Sequence, residues 1–180
     1  MEPVGDVKPE QAVGKRTECL IGVDPGLNIT GYGILDVSGP RPVIREAGVV
    51  RSRARGSLET RLAEIHDGLR EILLAFQPDS MAVEQLYSHY KRPRTAILMG
   101  HARGVICLSA AHRNIRVYHY AATQVKKMLT GNGRAPKTQI QFAICREFGL
   151  TKTPEPADVA DALAIALCHF HFQHNSLELS

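Results

Sequence analysis

The sequence predicts an α/β fold in which a mixed five-stranded sheet is flanked by helices. Three strand-like runs come first, at 18–24, about 30–37 and about 42–51, and two more follow at 79–87 and 115–120. Helical segments separate the later runs and end the chain. Three strands, then helix, strand, helix, strand and a helical end, indicate a sheet whose strands differ in direction.

The first three strands are predicted from composition and turns. Leu20, Ile21 and Val23 give the first run its strand character. The third run, RPVIREAGVV, begins after the turn Ser38-Gly39-Pro40. Spacing this short indicates an antiparallel meander.

The remaining elements alternate helices with strands. Residues 57–76 place leucines and isoleucines at helical intervals, with Ser57 as the predicted N-cap and Pro78 ending the helix. The sequence has no internal repeat, and no G-x-G-x-x-G follows a strand as a dinucleotide-binding fold requires. Further helices are predicted at about 94–112, about 121–129, 136–148 and 156 to about 172.

Length and composition indicate one soluble intracellular domain. The 180 residues suffice for one compact domain, which we place at 18–174, between a polar extension at 1–17 and a tail at 175–180. A formal charge of +4 favours an anionic partner, and the four cysteines form no C-x-x-C pair, so free thiols are expected. No apolar run approaches the roughly 18 residues that span a bilayer, and the N-terminus lacks a signal-peptide core. We expect a cytoplasmic protein with no membrane partner.

Asp24 is an acidic residue at a position where burying its charge would cost free energy. A carboxylate at the end of a buried strand needs a partner, and a metal ion is the obvious one. Gly31 and Gly33 in the returning strand permit close backbone approach, which leaves room for a cation or a phosphate beside the carboxylate. On this segment alone, a hairpin whose aspartate only caps the turn explains the residues equally well.

Three further carboxylates lie at comparable positions. Glu84 sits near the end of the apolar strand MAVEQLY, although an edge-strand glutamate facing water is the alternative. Asp158 and Asp161 are three residues apart, so they share one face of a last helix otherwise rich in Ala, Leu and Ile. Pro156 at the first helical position puts Asp158 in the first turn, where capping explains Asp158 but leaves Asp161 unexplained.

Together the four carboxylates predict a site for a pair of hard divalent cations. Mg²⁺ prefers oxygen ligands and keeps several waters, so positions remain for phosphate oxygens. Two such ions can activate a water and stabilise the leaving oxygen during attack on a phosphodiester. The reaction class that these residues predict is therefore phosphoryl transfer.

The motifs that carry these residues resemble those of a known family. The segments IGVDPGLNITGYGI, AVEQLY, GHARGV, YAATQVKK and ADVADALAIAL, in this order and spacing over about 18–174, resemble the RuvC-type Holliday-junction resolvases of bacteria. The resemblance implies an RNase H-like nuclease domain and a homodimer that uses Mg²⁺, two ions per subunit, for which Mn²⁺ can substitute. It also implies paired symmetric nicks in four-way DNA junctions, ends that ligase can seal, and a branch-migration motor complex of the RuvA and RuvB type as partner.

The same resemblance assigns roles to individual residues. The aromatic residue that contacts unstacked bases corresponds best to Tyr87, with Tyr90 as the alternative. The family's DNA-contacting lysines correspond to Lys126 and Lys137, and Lys137 is expected to stabilise charge near the scissile phosphate. The family's catalytic metal ligands correspond to Asp24, Glu84, Asp158 and Asp161.

Basic residues form two clusters that could bind the phosphate backbone. Neutralising phosphates in this way supplies non-specific affinity that falls steeply with salt. A solvated basic surface is the alternative, and it is the favoured interpretation for Arg51, Arg53 and Arg55. The two clusters comprise Lys91, Arg92 and Arg94 after the Glu84 strand, and Lys126, Lys127, Arg134 and Lys137 before the last helix.

Histidines and glycines leave two further questions open. His169, His171 and His174 invite a metal interpretation, but a fraying helix end with cationic histidines beside its carbonyl groups explains them better. Gly100 and Gly104 permit close packing, either in the core or against a second subunit. The resemblance favours a dimer formed partly through this helix.

Two other functions share part of this pattern. An ATP-using phosphotransferase of the actin and sugar-kinase kind also places an aspartate before a glycine turn, but it needs a second related domain for which 180 residues leave no room. A non-catalytic junction-binding protein is disfavoured because all four carboxylates are present. We therefore expect a metal-dependent, structure-selective endonuclease that resolves Holliday junctions in recombination and DNA repair.

Overall fold

A computed structural model describes residues 18–86 and 93–177. Its strands are β1 (Cys19–Asp24), β2 (Ile29–Asp36), β3 (Val43–Arg51), β4 (Ser80–Glu84) and β5 (Arg116–Tyr120). They form one sheet in the order β3-β2-β1-β4-β5. The first three strands pair antiparallel, as their short connections predict, whereas β4 runs parallel to both β1 and β5. The predicted mixed five-stranded α/β fold is confirmed.

Helices cover both faces of this sheet. They are α1 (Leu58–Phe76), α2 (Pro93–Ala111), α3 (Ala122–Thr130), α4 (Lys137–Phe148) and α5 (Ala157–Leu177). One hydrophobic cluster packs α1 and α2 against one face, and a second packs α5, with α3 and α4 beside it, against the other. α5 is buried along most of its length, as its Ala, Leu and Ile content predicts.

The glycines of β1 and β2 allow α5 to lie directly on the sheet. A Cβ atom at Gly22 would overlap the backbone carbonyl of Ala162, and one at Gly31 would overlap the backbone carbonyl of Asp158. Because backbone atoms cannot swing aside, any side chain at these positions would push the helix away. Gly31 was predicted to leave room for a cation or a phosphate, but the backbone of α5 occupies the space above it.

The ends of three elements differ from the prediction. β4 ends at Glu84 rather than continuing to 87, and α5 continues to Leu177, beyond the predicted end near 172. The predicted tail at 175–180 therefore begins inside α5. Ser57 precedes α1 as expected, but its side chain makes no capping hydrogen bond and its hydroxyl instead contacts that of Thr60 at 2.9 Å.

The expected free thiols are present. All four cysteines have free thiols, and Cys19 and Cys168 are buried. Across residues 18–86 and 93–177, no helix is both long enough and apolar enough to cross a membrane.

Candidate active site

Two strands end side by side with carboxylates on the same face of the sheet. Side chains alternate between the faces of a strand, so Asp24 and Glu84 point the same way as Gly22 and Ala82, toward α5. Parallel pairing of Gly22 with Ala82 brings the ends of β1 and β4 level. The side chains of Asp24 and Glu84 share a hydrogen bond there. Alternation and register thus bring together two residues that are far apart in the sequence.

The first turns of α5 add two more carboxylates. Asp158 lies in the first turn and Asp161 three residues later, and both are half-buried. The negative charges of both act on Asp24. Gly31 is the register partner of Asp24 and meets the backbone of Asp158, so its missing side chain sets how closely α5 approaches. The four predicted carboxylates therefore lie together at one end of the sheet.

Asp24 holds a proton at neutral pH when no cation is bound. Burial raises its pKa, and the charges of Glu84 and Asp161 raise it further, to about 8. Burial is also the largest cause of the raised pKa of Glu84, an effect that the hydrogen bond with Asp24 partly offsets. One proton between the two carboxyl groups relieves their repulsion. The site thus carries more negative charge than its surroundings stabilise.

Lys137 compensates part of this charge. Its Nζ donates to Asp161 Oδ2 at 2.7 Å, and this hydrogen bond is the main reason that the pKa of Lys137 is raised. Lys137 is the first residue of α4, and about half of its side chain is exposed. Solvent weakens such an ion pair, so it adds little to folding stability. The ammonium group is accessible to an incoming anion.

A cavity of about 290 Å³ opens beside the carboxylates. Its polar lining comprises Glu84, Asp161, Lys126 and Lys137, and apolar side chains of α3, α4 and α5 form the rest of its wall. Cavities of about 520 and 780 Å³ elsewhere on the protein are lined by none of the four carboxylates. The cavity of about 290 Å³ thus combines negative and positive groups beside the half-buried carboxylates.

The structure brings some of the predicted DNA-contacting residues to this cavity and leaves others apart. Lys126 and Lys137 line it. Lys127 and Arg134 are exposed on and just after α3, and Arg94 is exposed in the first turn of α2. The remaining predicted contacts lie outside the described residues; they are Tyr87, Tyr90, Lys91 and Arg92.

The donor set fits a hard divalent cation, but the side chains are not arranged to hold one as they stand. Within 18–86 and 93–177, no group of three or more acidic, histidine or cysteine side chains is placed to bind a metal ion. Two contacts account for this, because Asp24 is hydrogen-bonded to Glu84 and Asp161 to Lys137. The proton on Asp24 marks excess negative charge that a cation would compensate instead. Metal binding therefore requires Asp24 to lose its proton and these side chains to turn.

The histidines near the C-terminus contradict the prediction of a cationic, fraying helix end. His169 is fully buried, its ring lies 4.3 Å from that of Tyr118, and its Nδ1 is 2.7 Å from the Tyr120 hydroxyl oxygen. Burial lowers the pKa of His169 to about 4 and also lowers that of His171. Both are neutral at pH 7, so the prediction is wrong for them; α5 continues through this region instead of fraying.

One contact at the site was not predicted. Arg103 of α2 donates from Nε to the carbonyl oxygen of Glu84 at 3.2 Å, and its Nη2 lies 2.7 Å from Nδ1 of His119 on β5. In the sequence, Arg103 lies in the segment GHARGV and is a charged residue in a helix that is largely apolar. That signal indicates that the residue has a partner but does not identify it.

Comparison with known proteins gives consistent matches. Residues 20–169 match the family model of crossover junction endodeoxyribonuclease RuvC. A crossover junction endodeoxyribonuclease RuvC from Rhodopirellula baltica is 57% identical over 89% of this chain and 90% of the relative. One from Alkaliphilus oremlandii is 43% identical over 84% of this chain and 92% of the relative.

A solved structure agrees with these sequence matches. Thermus thermophilus RuvC in complex with its Holliday junction substrate has a TM-score of 0.81 and 31% identity, and the match covers 88% of this chain and 96% of that one. This structural similarity accords with the expected RNase H-like fold. This chain belongs to the RuvC family of crossover junction endodeoxyribonucleases.

Proposed function

We propose that this protein is a cytoplasmic, metal-dependent DNA endonuclease that resolves Holliday junctions in recombination and DNA repair. The observation that carries the proposal is the group of four carboxylates at one end of the sheet, with two lysines beside it. The activity named for the family, and the solved complex of a relative with a Holliday junction, support this substrate.

We assign the metal-binding role to the four carboxylates, with Mg²⁺ as the cation, two ions per subunit, and Mn²⁺ as a substitute. When bound, such ions activate a water and stabilise the leaving oxygen of the cleaved phosphodiester. Asp24 would hold the cation in place of its proton, and the cation's charge would offset the repulsion that raises the pKa of Asp24. The ligands are Asp24, Glu84, Asp158 and Asp161.

The two lysines of the cavity would hold the scissile phosphate. Lys137 already donates to a carboxylate oxygen, so a phosphate oxygen entering the cavity can replace Asp161 as acceptor. Its positive charge then stabilises the charge that develops on the phosphate during cleavage. Lys126 acts from the same wall, where its charge partly offsets the rise in the pKa of Glu84. Lys127, Arg134 and Arg94 are proposed to contact the junction arms farther out.

A second copy of the chain would supply the second cut. Among the residues that the structure describes, no atom lies within 4 Å of a Cβ position at Gly100 or Gly104 of α2, so neither glycine packs against the core of the subunit there. Ile97 and Leu108 are 63% and 49% exposed, and the four residues recur at helical spacing along one side of α2. We propose that this side is the dimer interface, so that two-fold symmetry provides one site for each cut strand. The proposed protein partner is a branch-migration motor complex of the RuvA and RuvB type.

Cleavage of an immobile four-way junction tests the proposal. The purified protein is incubated with the junction in Mg²⁺ or in chelator, beside Asp24→Asn and beside Glu71→Gln as a control on the exposed surface of α1. We expect paired symmetric nicks that ligase seals, only with metal, at a rate reduced roughly 10³-fold in Asp24→Asn. A wild-type protein that binds the junction but does not nick it in either Mg²⁺ or Mn²⁺ would overturn the proposal.

Sedimentation tests the dimer separately. We expect the wild type to sediment as a dimer and Gly104→Leu as a monomer, because a leucine would hold a second helix away. Leu74→Ser, which removes an exposed apolar side chain from α1, is the matched control and should remain dimeric. An unchanged dimer in Gly104→Leu would place the interface elsewhere.

A further inference from the structure

The end of β4 is anchored differently on its two sides. Register pairing with β1 extends to Val83, one residue before Glu84. On the side of β5, the pairing extends to Glu84, and the Gln85 N–H donates to the Tyr120 carbonyl oxygen at 2.8 Å. The carbonyl oxygen of Glu84 accepts a hydrogen bond from Nε of Arg103. A side chain of α2 thus supplies a partner for a main-chain group at the end of the strand.

The same guanidinium is held by a second strand. Its Nη2 lies 2.7 Å from Nδ1 of His119, which is the residue before Tyr120 on β5. An arginine only donates, so His119 Nδ1 must accept and its ring proton must lie on Nε2. The planar group therefore makes one contact to β4 and one to β5, and two contacts fix its orientation better than one.

We propose that Arg103 is a positioning residue for Glu84. By holding the carbonyl of Glu84, it fixes the main chain from which the carboxylate reaches Asp24 and the cavity. Misplacing a group at a reaction centre by about 1 Å can slow a reaction about 10²-fold, so an anchor on the main chain can act on the rate without touching the substrate. The inference rests on the proposed function for its kinetic effect, but its structural effect can be measured without metal or DNA.

Two simpler roles for Arg103 give different results. If it only ties α2 to the sheet, its loss lowers stability without loosening the end of β4 in particular. If only its charge matters, lysine replaces it fully. A lysine ammonium is compact and cannot span both acceptors with the fixed geometry of a guanidinium, so Arg103→Lys should restore the effect only in part.

Amide hydrogen exchange in chelator tests the structural effect. The amide of Gln85 reports on the end of β4, and the amide of Ala82 reports on its centre. We expect exchange at Gln85 to be about tenfold faster in Arg103→Gln, less so in Arg103→Lys, with exchange at Ala82 unchanged. His119→Ala, which leaves the guanidinium only one contact, should give a smaller increase at Gln85.

Single-turnover nicking and junction affinity test the kinetic effect. In Arg103→Gln we expect the nicking rate at saturating protein to fall about 30-fold, while the Kd for the junction in chelator changes less than twofold. Arg103→Lys should recover part of the rate. The matched control is Arg70→Gln, which removes an exposed arginine from α1 and should change neither quantity.

The outcomes separate this inference from the proposed function. Unchanged Gln85 exchange in Arg103→Gln overturns the inference, and so does a uniform increase in exchange along β4. A nicking rate that is unchanged once the folded fraction is measured overturns it as well. If the wild type binds the junction but never nicks it, the proposed function fails, and Gln85 exchange still decides whether Arg103 anchors the strand.

Discussion

The two ends of α5 treat polar residues in opposite ways. At its N-terminal end, Asp158 and Asp161 face other carboxylates, and the pKa of Asp24 beside them is raised to about 8. At its C-terminal end, His169 is buried, neutral and hydrogen-bonded to Tyr120. Burial opposes charge at both ends, but like charges accumulate only at the first.

This difference separates a binding site from a structural contact. At the C-terminal end of α5, the Tyr120 hydroxyl pairs with Nδ1 of a neutral His169, whose Nε2 has no partner among the described residues, so no charge is left to compensate. Several carboxylates around one point do leave such a charge, and they keep a proton or take a cation instead. The N-terminal end of α5, the site end, is thus suited to binding. The C-terminal end, the far end, is suited to holding the helix in place.

The largest expected effect comes from Gly31→Ala, which acts on the site end alone. The new methyl group would overlap the backbone carbonyl of Asp158, so α5 must shift or the hairpin must bend. We expect a loss of about 3 kcal/mol in unfolding free energy, the upper end of the usual cost of overpacking, and nicking reduced by more than the folded fraction explains. Urea denaturation and junction cleavage measure the two losses.

Gly39→Ala is the control for this variant. The nearest atom to a Cβ there is the carbonyl oxygen of Arg41, at 3.9 Å, so the substitution should be close to neutral. Full stability and activity in Gly31→Ala would mean that the site end tolerates displacement, and the contrast between the two ends would be lost.

The next largest effect is the pH dependence of the unfolding free energy that Asp24 causes at the site end. Folded protein keeps the proton on Asp24 until about pH 8, whereas the unfolded chain releases it near the ordinary value of 3.8. In chelator, raising the pH from about 6 to about 7.5 therefore destabilises the wild type, because folding then has to take up a proton. Asp24→Asn has no such proton, so it should gain on the order of 2 kcal/mol relative to the wild type across this interval.

Urea denaturation at the two pH values measures that gain. Saturating Mg²⁺ at the higher pH should reduce it, since a cation that binds only the folded wild type stabilises it. If the unfolding free energies of the two proteins changed equally with pH, the pKa of Asp24 would not be raised by folding.

The far end should respond to pH in the opposite direction and more weakly. The pKa of His169 is about 4 in the folded protein and near 6.5 in the unfolded chain, so acidification between these values favours unfolding. His169→Phe carries a constant cost from the lost Tyr120 contact but should lose about 1–2 kcal/mol less than the wild type between about pH 6 and about pH 4.5. Thermal unfolding over that interval in chelator measures the difference. His112→Gln, at an exposed histidine, should follow the wild type.

The smallest expected effect tests whether the site end binds a phosphate group of the DNA. If Lys126 contacts a phosphate, Lys126→Gln should weaken junction binding a few-fold and reduce the slope of log affinity against log salt by about 0.9. Arg116→Gln, at an exposed residue where β5 begins, is the control at the opposite end of the sheet and should leave the slope unchanged. Fluorescence anisotropy in chelator at several salt concentrations gives both slopes.

Local pattern was sufficient for most of the fold and for the carboxylates. Asp24 and Glu84 follow apolar strands, and a spacing of three places Asp158 and Asp161 on one helix face; each of these is a property of neighbouring residues. The antiparallel start followed from the short connections, and the first helix followed from apolar residues at helical intervals. Assigning roles to the lysines additionally needed the family resemblance.

The features that the sequence did not predict depend on distant partners. His169 is neutral because parts of the chain that are distant in sequence bury it, among them Tyr120, 49 positions away. Arg103 bonds the main chain of Glu84, 19 positions away, and a main-chain acceptor leaves no mark in the sequence. The actual ends of β4 and α5 likewise depend on what packs beside them, which no local pattern records.

The burial of α5 links catalysis to the integrity of the whole domain. This helix fills the space above β1 and β2 and also carries two of the four carboxylates, so it cannot detach without dismantling the core. A partly unfolded form that still cuts DNA is therefore not expected, and curves of heat inactivation and of global melting should superimpose. For the same reason, proteolytic removal of the C-terminal helix should leave no active fragment, and nicking activity can serve as a direct gauge of how much protein is folded.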